Sequence, residues 1–523
     1  MPTPLTRNTI FSSLAACCAA WMVVMATRYN TLQAGDINGA LHVGVDDGSW
    51  LLTAYSVCEP IGVVIGSWLG IAFSTRRMLL IGIAIFLVGT LIPITLPDYG
   101  ATMVSRIVTG LSGGAIVPQS IIIQLRSWGP TRLPVALAVF LSAVTAAPLA
   151  AGVVGAWGVQ LFGWSFVLWA APPLGVSALV LGYFGLQRER IQWRPLVHAD
   201  LAGLITLSAA LALFTCAVSQ GDRMRWFQTP AIAILFATSA VFLAIFGLRN
   251  WTGLRHPIVW TRLYRRWNLA LAAIGILPLA LAIGMSGVIV PAALVQLQAF
   301  RPEQVAPALW GALWPQAFSY AACVYILIRR LVEVRALTIA GAGIVAIGAF
   351  FDLSITSEWQ LRELWVGQLL QGIGLPLMAL PLVYMFLGEV RPPAESLPAA
   401  SILNLSRVLS GTIAGAWLTT ALRLHSQSKY SEIVTTTGLH PSDRGTSLAT
   451  LAAHTAPFTS DPMLARSQAV QIVARAARRQ ATVLGVSDTL SALGWLLLAS
   501  CILVIVMAEF GHGRSLSNRD TPT

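Results

Sequence analysis

A helix needs about 20 mostly apolar residues to cross a bilayer, and this chain supplies such a run repeatedly. Fourteen stretches qualify, near residues 10–35, 50–73, 78–96, 101–124, 134–157, 165–185, 201–219, 231–248, 269–296, 305–328, 336–354, 364–387, 401–422 and 486–508. Backbone amides find no water in hydrocarbon, so each run is expected to be helical. Only 10% of the residues are charged, against about a quarter in a soluble domain. The expected fold class is all-α integral membrane with fourteen transmembrane helices. Leu14-Ala15-Ala16-Cys17 has the form cleaved in bacterial lipoproteins, but the apolar run continues to residue 27. That is too long for a cleavable signal, so it reads as the first helix.

A formal charge of +12 is compatible with a nucleic-acid partner, yet Lys429 is the single lysine and the arginines lie between apolar runs rather than on one face. The excess reads as topology. With the N-terminus placed in the cytoplasm, nineteen basic residues fall in inner segments and four in the short outer loops. The positive-inside rule then puts both termini in the cytoplasm. The six cysteines all lie inside apolar runs and the seven histidines in connecting segments. A disulfide framework, a zinc site and a histidine relay across the membrane are therefore not expected.

The pattern is duplicated. VSRIVTGLSGG (104–114) aligns with VGQLLQGIGLP (366–376), and Leu141-Ser142 with Leu405-Ser406, at offsets of 262 and 264. Two related six-helix halves follow, residues 1–200 and 269–523, with two inserted helices at 201–268. Repeated halves with a site at their interface are the architecture of secondary transporters.

Several motifs in this order are similar to the major facilitator superfamily, specifically the fourteen-span (6 + 2 + 6) drug:proton antiporters of the EmrB/QacA type. Ser49-Trp50 with Thr53-Ala54-Tyr55 resembles the opening of span two. Arg106, Gly110 and Gly113-Gly114 resemble the span-four signature. Ala147-Pro148 and Ala151-Gly152 resemble a softened antiporter signature in span five. Gln371-Gly372, Gly374, Asn404 and Arg407 resemble the second half. The chain departs from the family at Ile71 and Ser74, which replace an acidic residue and a glycine before Arg76 and Arg77. It departs again at Ala26, which replaces a span-one aspartate, with Arg28 two positions on. The resemblance implies a major facilitator fold and proton-coupled export of drugs across the bacterial inner membrane, with the proton gradient as energy source and no cofactor. It allows a periplasmic adaptor protein and an outer-membrane channel as partners, besides the lipid bilayer and a small organic substrate.

Charged groups inside a span are functional candidates by default. Glu59 lies nine residues from Trp50, about 13 Å deep at 1.5 Å per residue. Arg28 is expected at the same depth on span one, and Arg106 a little shallower. Glu59 is therefore expected to pair with Arg28, with Arg106 close by. Two readings fit: a structural ion pair, or a protonation switch in which an approaching or departing cation loads and unloads the acid. Asp352, Glu389 and Asp488 sit near span ends, where water explains them.

Pro148 and Gly152 are candidates for a moving seam between the halves, or small residues facing lipid. Arg76 and Arg77 either latch the cytoplasmic face or anchor topology. Gln296, Trp310, Trp314, Gln316, Tyr320, Gln371, Asn404 and Arg407 are candidates for the substrate path. Sparse polar and aromatic groups on apolar helices suit amphipathic or aromatic organic molecules. In the long outer segment 423–485, SDPMLARSQAVQIVARAARRQA reads as a basic amphipathic helix. It is expected to rest on the membrane surface, with outward continuation of the last span, or contact with a periplasmic adaptor protein as the family resemblance allows, as the alternatives.

Other functions are disfavoured. An ATP-driven pump needs a phosphate loop ending Gly-Lys-Ser/Thr, and Lys429 stands in Ser-Lys-Tyr. A membrane enzyme needs clustered acids or a Cys–His pair, and neither occurs. The rival that stays open is proton-coupled export of one specific metabolite or siderophore.

Overall fold

The computed structural model describes residues 6–163, 165–189, 191, 200–251, 266–298, 300–356, 358–359, 361–388, 390, 395–438 and 462–506. Among them there are helices, turns and no strands. The first part of the chain forms α1 (Arg7–Leu32), α2 (Ala34–Ala40), α3 (Val45–Phe73), α4 (Thr75–Thr95), α5 (Tyr99–Trp128), α6 (Leu133–Thr145), α7 (Ala147–Phe162), α8 (Phe166–Trp169) and α9 (Pro172–Gly185). Next come α10 (Leu201–Gly221) and α11 (Pro230–Trp251). The remainder forms α12 (Trp267–Ile274), α13 (Ile276–Gly284), a π turn at Met285–Ile289, α14 (Val290–Gln298), α15 (Pro302–Arg329), α16 (Val334–Phe351), α17 (Leu361–Gly388), α18 (Ser396–Gly438) and α19 (Pro462–Val506).

Ten of these helices are long and apolar enough to cross a membrane, the run Leu269–Leu297 through α12, α13, the π turn and α14 makes an eleventh, and α6 with α7, bent by 46°, a twelfth if they form one span. This is a multi-pass membrane protein. α9 is a shorter apolar helix of 14 residues. α18 is polar beyond its first half and runs on for 43 residues.

Glycine sets the closest crossing. α3 packs on α5 backbone to backbone: a Cβ on Gly110 would lie 2.8 Å from the Tyr55 carbonyl oxygen, and one on Gly114 would overlap the Glu59 carbonyl. A methyl group here meets backbone that cannot move aside. We expect Gly114→Ala to cost at least the 1–3 kcal/mol typical of overpacking, read as a lower melting temperature and less monodisperse protein. The turn from α3 to α4 hinges on Ser74 at φ 85°, a region glycine enters at lower cost. The family pattern has its glycine at this position, so Ser74 carries the strain that glycine would avoid. Its hydroxyl accepts from the Arg77 amide and caps α4.

The outer segment differs from expectation. Residues 462–506 form one helix continuous with the last apolar run, so the basic stretch continues the span rather than lying on the membrane. Residues 439–461 lie outside the described residues. The physical reason is a protein partner: α19 packs along the extended α18. His425 Nδ1 and Thr489 Oγ1 are 3.1 Å apart, and the Arg478 guanidinium sits 5.8 Å from the Tyr430 ring centre. A helix that finds such a neighbour has no need of a lipid surface.

Candidate functional site

Glu59 stands at the midpoint of α3, fourteen residues from either end. Its Oε1 accepts a hydrogen bond from Arg407 Nη2 of α18 at 3.1 Å. The two side chains are 14% and 22% exposed, so the pair sits largely out of water. Pro60 follows directly and has no N–H to return to the Ser56 carbonyl, which loosens α3 at the acid. Tyr55, one turn away on α3, lies in the combined field of Glu59, Arg407 and Arg106.

The expected Glu59–Arg28 pair does not form. Helix depth was the basis for it, and depth leaves the direction around the helix axis open. Arg28 points from α1 toward the π turn, where its Nη2 comes 2.9 Å from the place a Cβ of Gly287 would occupy. Glycine at 287 makes room for the guanidinium. Arg106, on α5, instead donates through Nη2 to the Asn30 side-chain oxygen on α1. Arg106 and Asn30 are both buried.

The end of α10 ties together the two helices that carry the ion pair. Arg223 bonds Asp46 at 2.6 Å at the start of α3, and Asp222 bonds Arg423 of α18 at 2.8 Å. Trp226 Nε1 donates to Thr420 of α18 at 3.0 Å. Gln220 reaches Thr53 at 2.5 Å.

The candidate path residues separate into groups. Gln316 and Tyr320 are buried on α15, and both meet Thr145 of α6, at 2.9 and 2.8 Å. Thr145 is the last residue before the bend into α7. Gln371 is buried on α17; its Nε2 donates to the Ala282 carbonyl at 2.5 Å, and the Ser286 hydroxyl contacts its amide oxygen and that of Gln368. Asn404 lies one turn before Arg407, donating to the Ala400 carbonyl at 2.8 Å, while its side-chain oxygen is buried without a partner. Trp310 and Trp314, 38% and 44% exposed, line the opposite face of α15 with Phe318, and Gln296 is exposed on α14.

Residues 10–326, more than half of the chain, match the family model described as the Major Facilitator Superfamily. The chain belongs to that superfamily. A multidrug resistance protein B homolog of Mycobacterium tuberculosis is 25% identical over 393 residues, 74% of this chain and 71% of that one. The multidrug export protein EmrB of Haemophilus influenzae is 24% identical over 422 residues, 79% and 80% of the two chains. An auto-inhibited POT family peptide transporter superposes with TM-score 0.59 at 13% identity over 99% of each chain, which shows the fold alone. The superfamily is one of transporters and not an enzyme class.

In this superfamily member Gly152 packs on Leu309 of α15, and Pro148 occupies the first turn of α7 just after the break. Arg76 donates to the Tyr183 carbonyl at 3.0 Å and covers that ring at 5.7 Å, while Arg77 is exposed. Asp488 is half-exposed and 4.0 Å from Lys429; Glu389 lies outside the described residues. Asp352 departs from expectation. It is 0% exposed, so water does not account for it. The hydroxyl of Thr145, the amide of Asn30 and the absent side chain of Gly287 carried no motif in the sequence. An in-span arginine at 407 was visible there, but its partner was not.

Proposed function

We propose that this chain exports amphipathic or aromatic organic compounds across the bacterial inner membrane in exchange for protons. It does so by alternating access of two six-helix halves, with fourteen spans in all, both termini cytoplasmic, and α10 and α11 as the inserted pair. The observation that carries the reading is the Glu59–Arg407 ion pair, which joins α3 to α18 across 348 residues of sequence. A proton on Glu59 removes the charge that Arg407 holds and frees the two helices to part. Loss of that proton restores the pair. The names of the export relatives support the substrate class.

Purified protein in liposomes loaded with a pH-sensitive dye tests this. An imposed pH gradient, acid outside relative to the cytoplasmic face, should drive ethidium transport toward the acid side, and ethidium added without a gradient should move protons the other way. Ethidium movement with no accompanying proton signal would overturn the exchange.

A further inference from the structure

The central site leaves one buried acid unused. Asp352 follows directly on α16 and is fully buried, and neither of its carboxylate oxygens has a hydrogen-bond partner. Its carboxyl lies against the backbone of Gly367 on α17, where a Cβ would overlap both oxygens. α19 closes the third side. There the Ser487 hydroxyl donates to the Leu353 carbonyl at 2.9 Å, and Trp495 packs on Phe350 with ring centres 5.5 Å apart.

Among the described residues no cation pairs with the group. The ionisable side chains nearest to it on these elements are Glu358 in the connecting turn, Arg362 and Glu363 opening α17, and Asp488 on α19. The first three are exposed, and Asp488 faces Lys429. An unpaired buried carboxylate is among the costliest groups a protein can hold, and the neutral acid escapes most of that cost. We propose that Asp352 is a second proton-binding site of this carrier, occupied in the conformation seen here and filled from the outer side.

Water is near on that side: Ser354 and Thr356, two and four residues on, are exposed. The site is also wired to the centre through one helix. Gly367, against the carboxyl, adjoins Gln368, whose amide meets Ser286 at the head of the π turn. The next residue of that turn, Gly287, faces Arg28. A change of charge at Asp352 therefore acts on α17, which also holds the turn beside Arg28. The coupling role rests on the proton-exchange reading above; the bound proton does not.

Infrared spectroscopy of the purified full-length protein separates the two. At neutral pH the wild type should show a protonated-carboxyl stretch that Asp352→Asn loses and Glu59→Gln keeps. A spectrum unchanged by Asp352→Asn overturns the proposal. If that variant does not fold, Gly367→Ala, which presses a methyl on the carboxyl, should shift the band, and an unmoved band is equally fatal. In liposomes Asp352→Asn should lose pH-driven ethidium export; loss of the band with export intact would overturn the coupling role. The infrared result stands even if the wild type exports no ethidium, so failure here and failure of the exchange reading are told apart.

Discussion

Glu59→Gln is expected to abolish pH-driven export while leaving the protein folded and inserted. Glutamine keeps the shape of the side chain and an amide oxygen that accepts from Arg407 Nη2, so the 3.1 Å contact survives as a hydrogen bond from the charged guanidinium to a neutral oxygen, which offsets part of the cost of losing the carboxylate. What it loses is the ability to take and release a proton. Ethidium export driven by a pH gradient should fall to the level of empty liposomes. Exchange of ethidium across the membrane without a gradient should persist, because that needs rocking but no net proton movement. A purely structural role predicts the reverse: a lower melting temperature with gradient-driven export retained. Glu59→Asp offers the intermediate case, since it keeps the proton chemistry but withdraws the carboxyl by one methylene from Arg407.

The helices and their order were legible in the sequence because hydrocarbon leaves the backbone no other form. Side-chain direction was another matter. Arg28 and Glu59 were expected at one depth, yet Arg28 turns to Gly287 and Glu59 to Arg407, and only the packing of helices against one another decides such directions. Asp352 shows the same limit from the other side. Its place at the end of an apolar run suggested water, whereas the approach of Gly367 and α19 removes it. The helical extension of α18 past the apolar run was not legible, and the basic helix that opens α19 was expected on the membrane surface, because a polar helix that leaves the membrane carries no hydropathy signal. Trp310 and Trp314 were grouped with Gln316 and Tyr320 by span, although helical periodicity puts them on opposite faces of α15.

Removing the cation instead of the acid should damage the fold. In Arg407→Gln the Glu59 carboxylate keeps its largely buried position and loses its charged partner. Breaking a buried pair from one side costs roughly 3–5 kcal/mol, and the residual exposure of 14% and 22% places this pair toward the lower end. The expected loss is about 3 kcal/mol, read as a clear fall in melting temperature of the purified protein. The double variant Glu59→Gln with Arg407→Gln removes the stranded charge and should regain most of that stability, since two neutral amides can share the hydrogen bond. Arg28→Gln should behave differently from both, because Arg28 faces the Gly287 backbone rather than a carboxylate; its melting temperature should stay near wild type. A double variant no more stable than Arg407→Gln alone would mean that the two side chains do not hold each other, and the ion pair could not then join α3 to α18.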